Sequence, residues 1–274
     1  MESVLDCGLA DLRVRVSAVA SWGSGFLHAH PRVSRRSASL LGSYDVSIAS
    51  SMRENAMKSE EIRERLTQLE TSCLCDAKKT LRCLDPAIRP LSLGLQLVGR
   101  AFTVACCNDF LTVIKALQDA APGDVLVVDG QQGRTALAGE LFATEAKRKG
   151  LAGIVVDGAV RDVATIRAMQ FPVYCRAIFP LSGSTSHIGA TQVPVSCGGV
   201  TVVPGEIVFG DDDGIVVASE AEILEVLPLA EAIQQKEAEA LQRMAHGESL
   251  LGLLNFDEHL ASISVGKDSQ LRFA

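Results

Sequence analysis

The sequence has few aromatic residues and no long apolar run. Aromatic side chains make up 4% of the 274 residues, so a core has to be built mainly from Val, Leu, Ile and Ala, with Gly where backbones approach closely. No apolar segment reaches the roughly 20 residues that a transmembrane helix needs. Because 47% of the residues are hydrophobic, the chain can still bury a sizeable core, as one large domain or two small ones.

An excess of basic residues is also missing. The chain has 26 Lys and Arg against 33 Asp and Glu, which gives a net charge of −7. A non-specific nucleic-acid binder needs a basic face that neutralises phosphates. The charge balance therefore argues against a non-specific nucleic-acid binder, although a local basic patch remains an alternative. Together with the lack of a long apolar run, it predicts partners that include neither nucleic acid nor a membrane.

The cysteines lack any CxxC pair. Eight of them are scattered along the chain, and several lie within apolar runs such as TVACC. This distribution favours reduced, buried thiols in a cytoplasmic protein over a disulfide or zinc framework.

Residues 1–57 differ in composition from the rest of the chain. From Arg13 to Tyr44 the segment is rich in Ser and Arg and contains no acidic residue. That composition is typical of organellar targeting peptides, although Glu2, Asp6 and Asp11 precede it. A disordered extension and a start codon placed too early are equal alternatives. Residues 58–274 are predicted to form a single domain.

From Ser59 onward, apolar spacing predicts helices that alternate with strands. Ser59, followed by two glutamates, indicates a helix start with acids in its first turn. Several short strands then follow one another, so the pattern predicts an α/β sandwich that ends in one long helix. The main predicted elements are helices at Cys75–Leu84, Leu111–Ala121 (with Leu111, Ile114 and Leu117 on its apolar face), Gly139–Lys149, Val163–Met169 and Glu220–Ala245, and strands at Leu97–Ala105, Asp124–Asp129 and Ile154–Val156.

The predicted helix start at Gly139 is a candidate anion site. The first backbone N–H groups of a helix lack partners inside the helix and lie at the positive end of its dipole. The N–H groups of Leu141 and Phe142 would therefore hold a small carboxylate. Every helix has such an end, and an ordinary helix start with Glu140 as a helpful acid is the commoner explanation of this feature alone.

Arg161 and Asp162 form a second candidate. They follow the strand Ile154–Val156 and an expected turn, DGAV, and functional groups of open α/β sheets gather at the carboxyl ends of strands. Arg is suited to bidentate carboxylate binding and Asp to a hard divalent cation. A surface ion pair, or an N-cap at Asp162, would explain the same two residues.

The combination is more specific than either part. Glu140, twenty further residues and then Arg161-Asp162 resemble the acid–x20–Arg-Asp signature of the RraA-like family. The resemblance extends from about Ile62 to Leu260 through CDAKKTL, LVGRAFTV, PGDVLVVDG, GLAGIVVDGAVRD, VVPGEIVFGDDDGIVVAS and HGESLLGL. This family includes 4-hydroxy-4-methyl-2-oxoglutarate and 4-carboxy-4-hydroxy-2-oxoadipate aldolases and the regulator of ribonuclease activity A. The resemblance implies a swivelling β/β/α sandwich with a long C-terminal helix.

The family also implies roles for the residues around Gly139. The backbone at Gly139 and Glu140 and the N–H groups of Leu141 and Phe142 would, with Arg161, bind the carboxylate and keto oxygen of a pyruvyl group. Many family members have Asp where this chain has Glu140, a longer acid of the same charge.

The remaining implied roles concern a metal and a second subunit. Asp162 would hold Mg²⁺ or Mn²⁺, largely through ordered waters. A glutamate from the long C-terminal helix of a neighbouring subunit would complete the site, and Glu237 lies at the corresponding position, with Glu239 as a weaker candidate. The resemblance thus implies a homotrimer or homohexamer with the site at the subunit interface.

These residue types fit the chemistry of a metal-dependent pyruvate aldolase. Cleavage of a 4-hydroxy-2-oxo acid leaves a pyruvate enolate, which a divalent cation and Arg161 would stabilise. A Schiff-base lysine is the alternative strategy, but most lysines fall among polar residues of predicted helices. Oxaloacetate decarboxylation passes through the same enolate and is an expected second activity.

The rival function is a non-enzymatic regulator that binds a partner protein, as in the ribonuclease-regulator branch.

Two further sequence features carry less weight. Asp211–Gly214 is expected to be a turn, because Val216 stands where a calcium loop needs Gly. His187 is expected to be an exposed loop histidine.

Overall fold

The computed structural model describes residues 59–273. The predicted extension over residues 1–57 and its boundary lie outside the described residues. In chain order, the helices are α1 (described from 59 to 66), α2 Thr71–Ala77, α3 Leu111–Asp119, α4 Glu140–Arg148, α5 Val163–Met169, α6 Glu220–Ala245, α7 Leu250–Leu253 and α8 Phe256–Ser264.

Within these residues, ten strands form one mixed sheet and two form a separate hairpin. The strands are β1 Arg82–Cys83, β2 Arg89–Pro90, β3 Leu97–Ala105, β4 Asp124–Asp129, β5 Ala136–Ala138, β6 Gly153–Val160, β7 Val173–Ile178, β8 Ala190–Thr191, β9 Val195–Cys197, β10 Val200–Val202, β11 Ile207–Gly210 and β12 Ile215–Ala218.

The sheet has a parallel centre with antiparallel edges. Its order is β1-β12-β11-β3-β4-β6-β7-β2, with β5 paired to β6 and β8 paired to β3. The neighbours β3, β4, β6 and β7 run parallel. Parallel strands need long crossovers, and α3, α4 and α5 provide them. The carboxyl ends of these strands consequently meet at one edge of the sheet.

The central strands are buried on both faces, which explains why they are apolar throughout. In β4, Leu126 and Val128 pack in the core beneath the crossover helices, whereas Val125 and Val127 pack against the side that carries β9 and β10. Alternate residues of a strand point to opposite faces. A strand that is covered on both faces therefore needs consecutive apolar residues, such as the VLVV of DVLVVD.

The long helix α6 packs with α1 and α2 over the β11–β12 end of the sheet. Its start is well defined, because the Ser219 hydroxyl accepts a hydrogen bond from the Glu222 N–H while the Glu222 carboxylate accepts one from the Ser219 N–H. This reciprocal capping box satisfies two backbone donors. The bounds predicted for α6, and those of α5, β3 and β4, are confirmed.

The predicted helix over Cys75–Leu84 is wrong. Helix α2 ends at Ala77, Lys78 is extended, and β1 pairs with β12 at the sheet edge. Arg82 is held there by an ion pair with Glu206 at 2.5 Å. Local apolar spacing does not reveal this long-range pairing.

Two smaller predictions also fail. DGAV is no turn, because β6 runs on through Asp157 to Val160, and Asp157 is buried against Arg176 at 2.5 Å. The buried face of α3 consists of Thr112, Val113, Ala116 and Leu117, whereas Ile114 is 42% exposed. The turn at Asp211–Gly214, between β11 and β12, is confirmed.

None of the helices within residues 59–273 has the combination of length and apolarity that crossing a bilayer requires.

The close packing of β6 yields a test of the fold. A Cβ at Gly153 would lie 2.1 Å from the Leu97 Cδ1 atom and 2.7 Å from the Pro172 carbonyl oxygen. Gly153→Ala should therefore lower the free energy of unfolding by about 1–3 kcal/mol in urea denaturation. Gly158→Ala is the matched control on the same strand, because its nearest atoms would lie 3.6 Å away. Equal stability losses in the two variants would contradict this packing.

Candidate functional site

The site is built where β5 pairs with the end of β6. In this parallel pair Ala138 lies opposite Val160, and the Arg161 N–H donates to the Ala138 carbonyl oxygen at 3.1 Å. Each strand is followed directly by a predicted site segment, Gly139 after β5 and Arg161 after β6. Two segments that are twenty residues apart in the sequence are thereby brought side by side.

A cleft of about 420 Å³ opens at this edge. Six of the seven predicted site residues line it, and Glu237 does not. The lining residues are Phe110, Ala136, Leu137, Ala138, Gly139, Glu140, Leu141, Phe142, Arg161, Asp162 and Ser182. The structure thus joins the two candidates into one site.

Gly139 allows the two segments to approach closely. A Cβ at this position would lie 2.5 Å from the Asp162 Oδ2 atom and 3.2 Å from the Arg161 Cγ atom. The backbone of Gly139 is extended, with φ −153°, so space rather than backbone conformation excludes a side chain. A larger residue would push the Asp162 carboxylate away from the α4 N-terminus.

Asp162 occupies the N-cap position of α5 without capping that helix. Its backbone is left-handed, with φ 58° and ψ 34°, and its side chain makes no capping hydrogen bond. Instead the Oδ2 atom lies 3.4 Å from both the Glu140 N–H nitrogen and the Arg161 Nε atom. A non-glycine residue in this region is uncommon, although Asp is one of the residue types that adopt it.

The N-terminus of α4 supplies one open donor. The Phe142 N–H donates to the Gly139 carbonyl oxygen at 3.1 Å, whereas the Leu141 N–H has no hydrogen-bond partner within residues 59–273. An open N–H at the positive end of a helix dipole is a feature that attracts anions, and it lies in the same cleft as Arg161.

The Arg161 guanidinium is aimed at the same cleft and is available to a ligand. Its side chain is 43% exposed and contacts Asp162 through Nε. Its two Nη groups have no hydrogen-bond or ion-pair partner in the part of the chain that the structure describes. Two free, coplanar N–H groups are the geometry that a carboxylate needs for a bidentate bond.

The acids of the cleft suit a cation that keeps most of its waters. Asp162 and Glu140 are the carboxylates in the lining, and no group of three or more His, Cys, Asp or Glu residues among the described residues could enclose a metal. Mg²⁺ is usually held by one or two carboxylates, several waters and an anionic ligand. The donor set therefore fits Mg²⁺ or Mn²⁺ rather than a metal that needs a complete protein cage.

Glu237 lies on α6, away from the cleft of its own chain. Its Oε2 atom accepts a long hydrogen bond, 3.6 Å, from the Cys73 Sγ atom on α2. Within one chain, the structure does not bring Glu237 together with Arg161 and Asp162.

Sequence reasoning missed Phe110 and Ser182, and it predicted Phe142 only for its backbone N–H. Phe110 and Phe142 pack edge to face, with ring centroids 5.6 Å apart, and Ser182, the first residue of the loop SGSTSHIGA, also lines the cleft. The three-residue strand β5 is too short to give a periodic signal. His187, the residue of that loop singled out above, is exposed as predicted, with 87% of its side chain accessible.

Asp109 anchors this loop from beneath. Its buried carboxylate accepts hydrogen bonds from the Ser184 hydroxyl at 2.7 Å and from the Ser186 and His187 N–H groups at 2.6 and 3.0 Å. Burial acts to raise the pKa of Asp109, but these bonds and one from the Leu111 N–H hold the pKa well below its usual range.

Comparison with known proteins now identifies the family. A family model described as "RraA-like: Aldolase/RraA" matches residues 71–217. The chain belongs to the RraA-like family. The predicted family and the predicted α/β fold with a long C-terminal helix are both confirmed.

Individual relatives of this RraA-like chain carry different names. A protein of Halalkalibacterium halodurans named "Putative 4-hydroxy-4-methyl-2-oxoglutarate aldolase" is 40% identical over 177 residues, 64% of this chain and 84% of that protein. The RNA-processing inhibitor RraA from Thermus thermophilis has a TM-score of 0.51 and 33% identity, over 54% of this chain and 91% of that one. An uncharacterized protein from Pseudomonas syringae has a TM-score of 0.62 and 26% identity, over 70% and 95% of the two chains.

The Asp109 anchor predicts a pH-dependent stability difference. Because its folded pKa is depressed, Asp109 contributes stability that is complete above its unfolded pKa of about 4 and is lost as the pH falls through the folded value. Asp109→Asn should therefore lower the Tm by several degrees at pH 7, and its deficit relative to the wild-type chain should shrink below about pH 4. Thermal unfolding followed by circular dichroism from pH 7 to pH 3 checks this. A deficit that stays constant over that range would show that the Asp109 charge is not what anchors the loop.

Proposed function

We propose that this RraA-like protein is a divalent-metal-dependent aldolase. It would cleave 4-hydroxy-4-methyl-2-oxoglutarate-type 2-oxo acids to pyruvate and would decarboxylate oxaloacetate as a second activity. The observation that carries the proposal is the convergence of Arg161, Asp162 and the open Leu141 N–H in one cleft. The name of the Halalkalibacterium relative supports the same reaction.

The pyruvyl end of the substrate carries a carboxylate beside a keto oxygen. In the proposed mode of binding, the free Nη groups of Arg161 and the Leu141 N–H bind these oxygens and orient the bond to be cleaved. When C3–C4 breaks, negative charge moves onto the former keto oxygen. Because the Arg161 charge is positioned before the reaction, it stabilises that charge without reorganisation.

A divalent cation fits beside these groups. Asp162 would hold Mg²⁺ or Mn²⁺ through ordered waters, with Glu140 nearby as the second acid of the cleft. The bound ion would supply Lewis-acid stabilisation of the developing enolate. The hydrogen bond from the Glu140 N–H at 3.4 Å would keep the Asp162 carboxylate turned toward the cleft.

The lysines of the chain support a metal mechanism over a Schiff base. No lysine among the described residues lines the cleft. Most are engaged elsewhere: the Lys149 Nζ donates to three carbonyl oxygens at the end of α3, the Lys147 Nζ to the Met169 carbonyl oxygen, and Lys78 pairs with Glu225 at 2.8 Å. A lysine nucleophile needs a desolvated position beside the substrate carbonyl.

We also propose that a second subunit completes the site. The cleft is open, and its rim exposes apolar side chains, with Leu141 74% and Leu181 61% accessible. The C-terminal helices expose others, including Leu251 and Ile263, and exposed apolar surface of this kind marks protein contacts. In a homotrimer or homohexamer, Glu237 of the partner subunit would reach the cleft, where a carboxylate suits removal of the hydroxyl proton.

The reaction itself provides the first test. Pyruvate release from 4-hydroxy-4-methyl-2-oxoglutarate and from oxaloacetate is measured with a coupled lactate dehydrogenase assay in Mg²⁺ or Mn²⁺. Activity is expected with either metal, and EDTA should abolish it. Turnover that persists in EDTA would overturn the metal dependence. If neither substrate reacts, the protein-binding role of the ribonuclease regulators becomes the better explanation.

Paired variants test the roles of Arg161 and Glu237 together. Arg161→Ala should lower kcat by about 10²–10³, or roughly 3–4 kcal/mol of transition-state stabilisation, because it removes a charged oxyanion donor. Glu237→Gln alone should also lose activity. When the two variants are co-expressed, each intact site needs Arg161 from a Glu237→Gln chain and Glu237 from a neighbouring Arg161→Ala chain. In a randomly mixed oligomer, about a quarter of the sites meet this condition.

Recovered activity of that size would therefore place Arg161 and Glu237 on different subunits. Co-expression of Arg161→Ala with Asp162→Asn is the matched control, because both changes affect the same cleft wall and no mixed site is intact. Equal recovery in both mixtures, or none in the first, would contradict a shared site.

A further inference from the structure

Cys75 and Cys83 lie in contact on the surface of the protein. Their Sγ atoms are 3.4 Å apart, although the seven described cysteines are all free thiols. Among residues 59–273, no other two cysteines make such a contact. The pair lies outside the cleft, so it is independent of the proposed aldolase activity.

The fold holds each thiol from its own side. Cys75 belongs to α2, which is fixed at its start because the Thr71 N–H and hydroxyl both donate to the Asp211 carboxylate at 2.7 Å. Cys83 belongs to β1, whose Arg82 pairs with Val217 in the sheet and with the Glu206 carboxylate. The contact therefore joins two anchored elements, and a tight turn over residues 78–81 connects them.

The two thiols differ in access to solvent. Cys83 is exposed, whereas Cys75 is partly buried. Burial, and next the hydrogen bond with Cys83, raise the pKa of Cys75 to about 12, so at neutral pH Cys75 remains a thiol. Cys83 is the sulfur that a dissolved oxidant meets first, and Cys75 is in place to react second.

We propose that Cys75 and Cys83 form a reversible disulfide when the protein meets a peroxide. Bonding distance is about 2.05 Å, so the two sulfurs have to close by roughly 1.4 Å, a movement within reach of side-chain rotation. Closure would tie the end of α2 to the edge strand β1. Because α2 also carries Cys73, the partner of Glu237, the bond would stiffen the layer beneath α6.

The disulfide forms in two steps. Cys83 releases its proton and the thiolate attacks one oxygen of hydrogen peroxide; the O–O bond breaks, and the leaving hydroxide takes up the released proton, so that Cys83 sulfenic acid and one water result. The Cys75 sulfur then loses its proton and attacks the sulfenic sulfur; the S–S bond forms, the S–O bond breaks, and a second water leaves. Two thiols have lost two electrons and two protons, and the peroxide has become two waters. A small dithiol such as dithiothreitol reverses the reaction by exchange.

Peptide mapping of the full-length protein tests the proposal. Lys78 and Lys79 lie between the two cysteines, so trypsin separates them unless a disulfide joins the fragments. The reduced protein is treated with a few equivalents of hydrogen peroxide, alkylated and digested without reductant. We expect a cross-linked peptide, 2 Da lighter than its two parts, that contains Cys75 and Cys83 and disappears after dithiothreitol.

Single variants distinguish the sulfur that reacts with peroxide from the sulfur that then forms the disulfide. Cys75→Ser should leave Cys83 as a sulfenic acid that dimedone traps, and Cys83→Ser should give neither the cross-link nor dimedone labelling of Cys75. Cys107→Ser, which removes another exposed thiol, is the matched control and should keep the cross-link. Cys83 that remains unmodified, passes to sulfinic acid in the wild-type chain, or links to any other cysteine would overturn the proposal.

Discussion

The candidate site depends on the parallel pairing of β5 with the last residues of β6. This pairing occurs only because β6 continues past the end of β4, so that a new neighbour joins its free edge at Ala159 and Val160. The hydrogen bond from the Arg161 N–H to the Ala138 carbonyl oxygen then sets the separation of the two site segments. Without these few backbone bonds, the α4 N-terminus and the Arg-Asp pair would belong to different parts of the surface.

The close approach of the two segments brings groups of opposite charge together in the cleft. Gly139 leaves space for the Asp162 carboxylate, which lies at the N-terminus of α4 rather than capping its own helix. One carboxylate is thereby placed between a helix dipole and a guanidinium, while the Leu141 N–H and the Arg161 Nη groups stay open. An acid that can hold a cation and donors that can hold a carboxylate share one small cleft, as a 2-oxo acid substrate would require.

The cleft and the C-terminal helices have different roles in the proposed assembly. The cleft lies at the carboxyl ends of the parallel strands, and the loop anchored by Asp109 contributes Ser182 to its lining. Helix α6 and the helices after it extend from the opposite end of the sheet order and carry Glu237 and much exposed apolar surface. The family model matches residues 71–217, from the start of α2 into β12, and the contact between subunits is proposed for α6 and the helices after it.

The elements with local signals could be predicted from the amino-acid sequence alone. The buried strands β3 and β4 and the helices α5 and α6 could be predicted, because apolar period and helix caps are local features of the chain. The six cleft residues were predicted from the resemblance to the RraA-like family, since the helix start and the Arg-Asp pair taken alone have ordinary structural explanations. The remaining features follow from tertiary contacts. The short strands β1 and β5 and the continuation of β6 through Asp157 depend on partners distant in sequence, and their energies come from pairing and burial that no local pattern records. The contact between Cys75 and Cys83 is short in sequence, but it needs α2 to end at Ala77 and β1 to pair with β12.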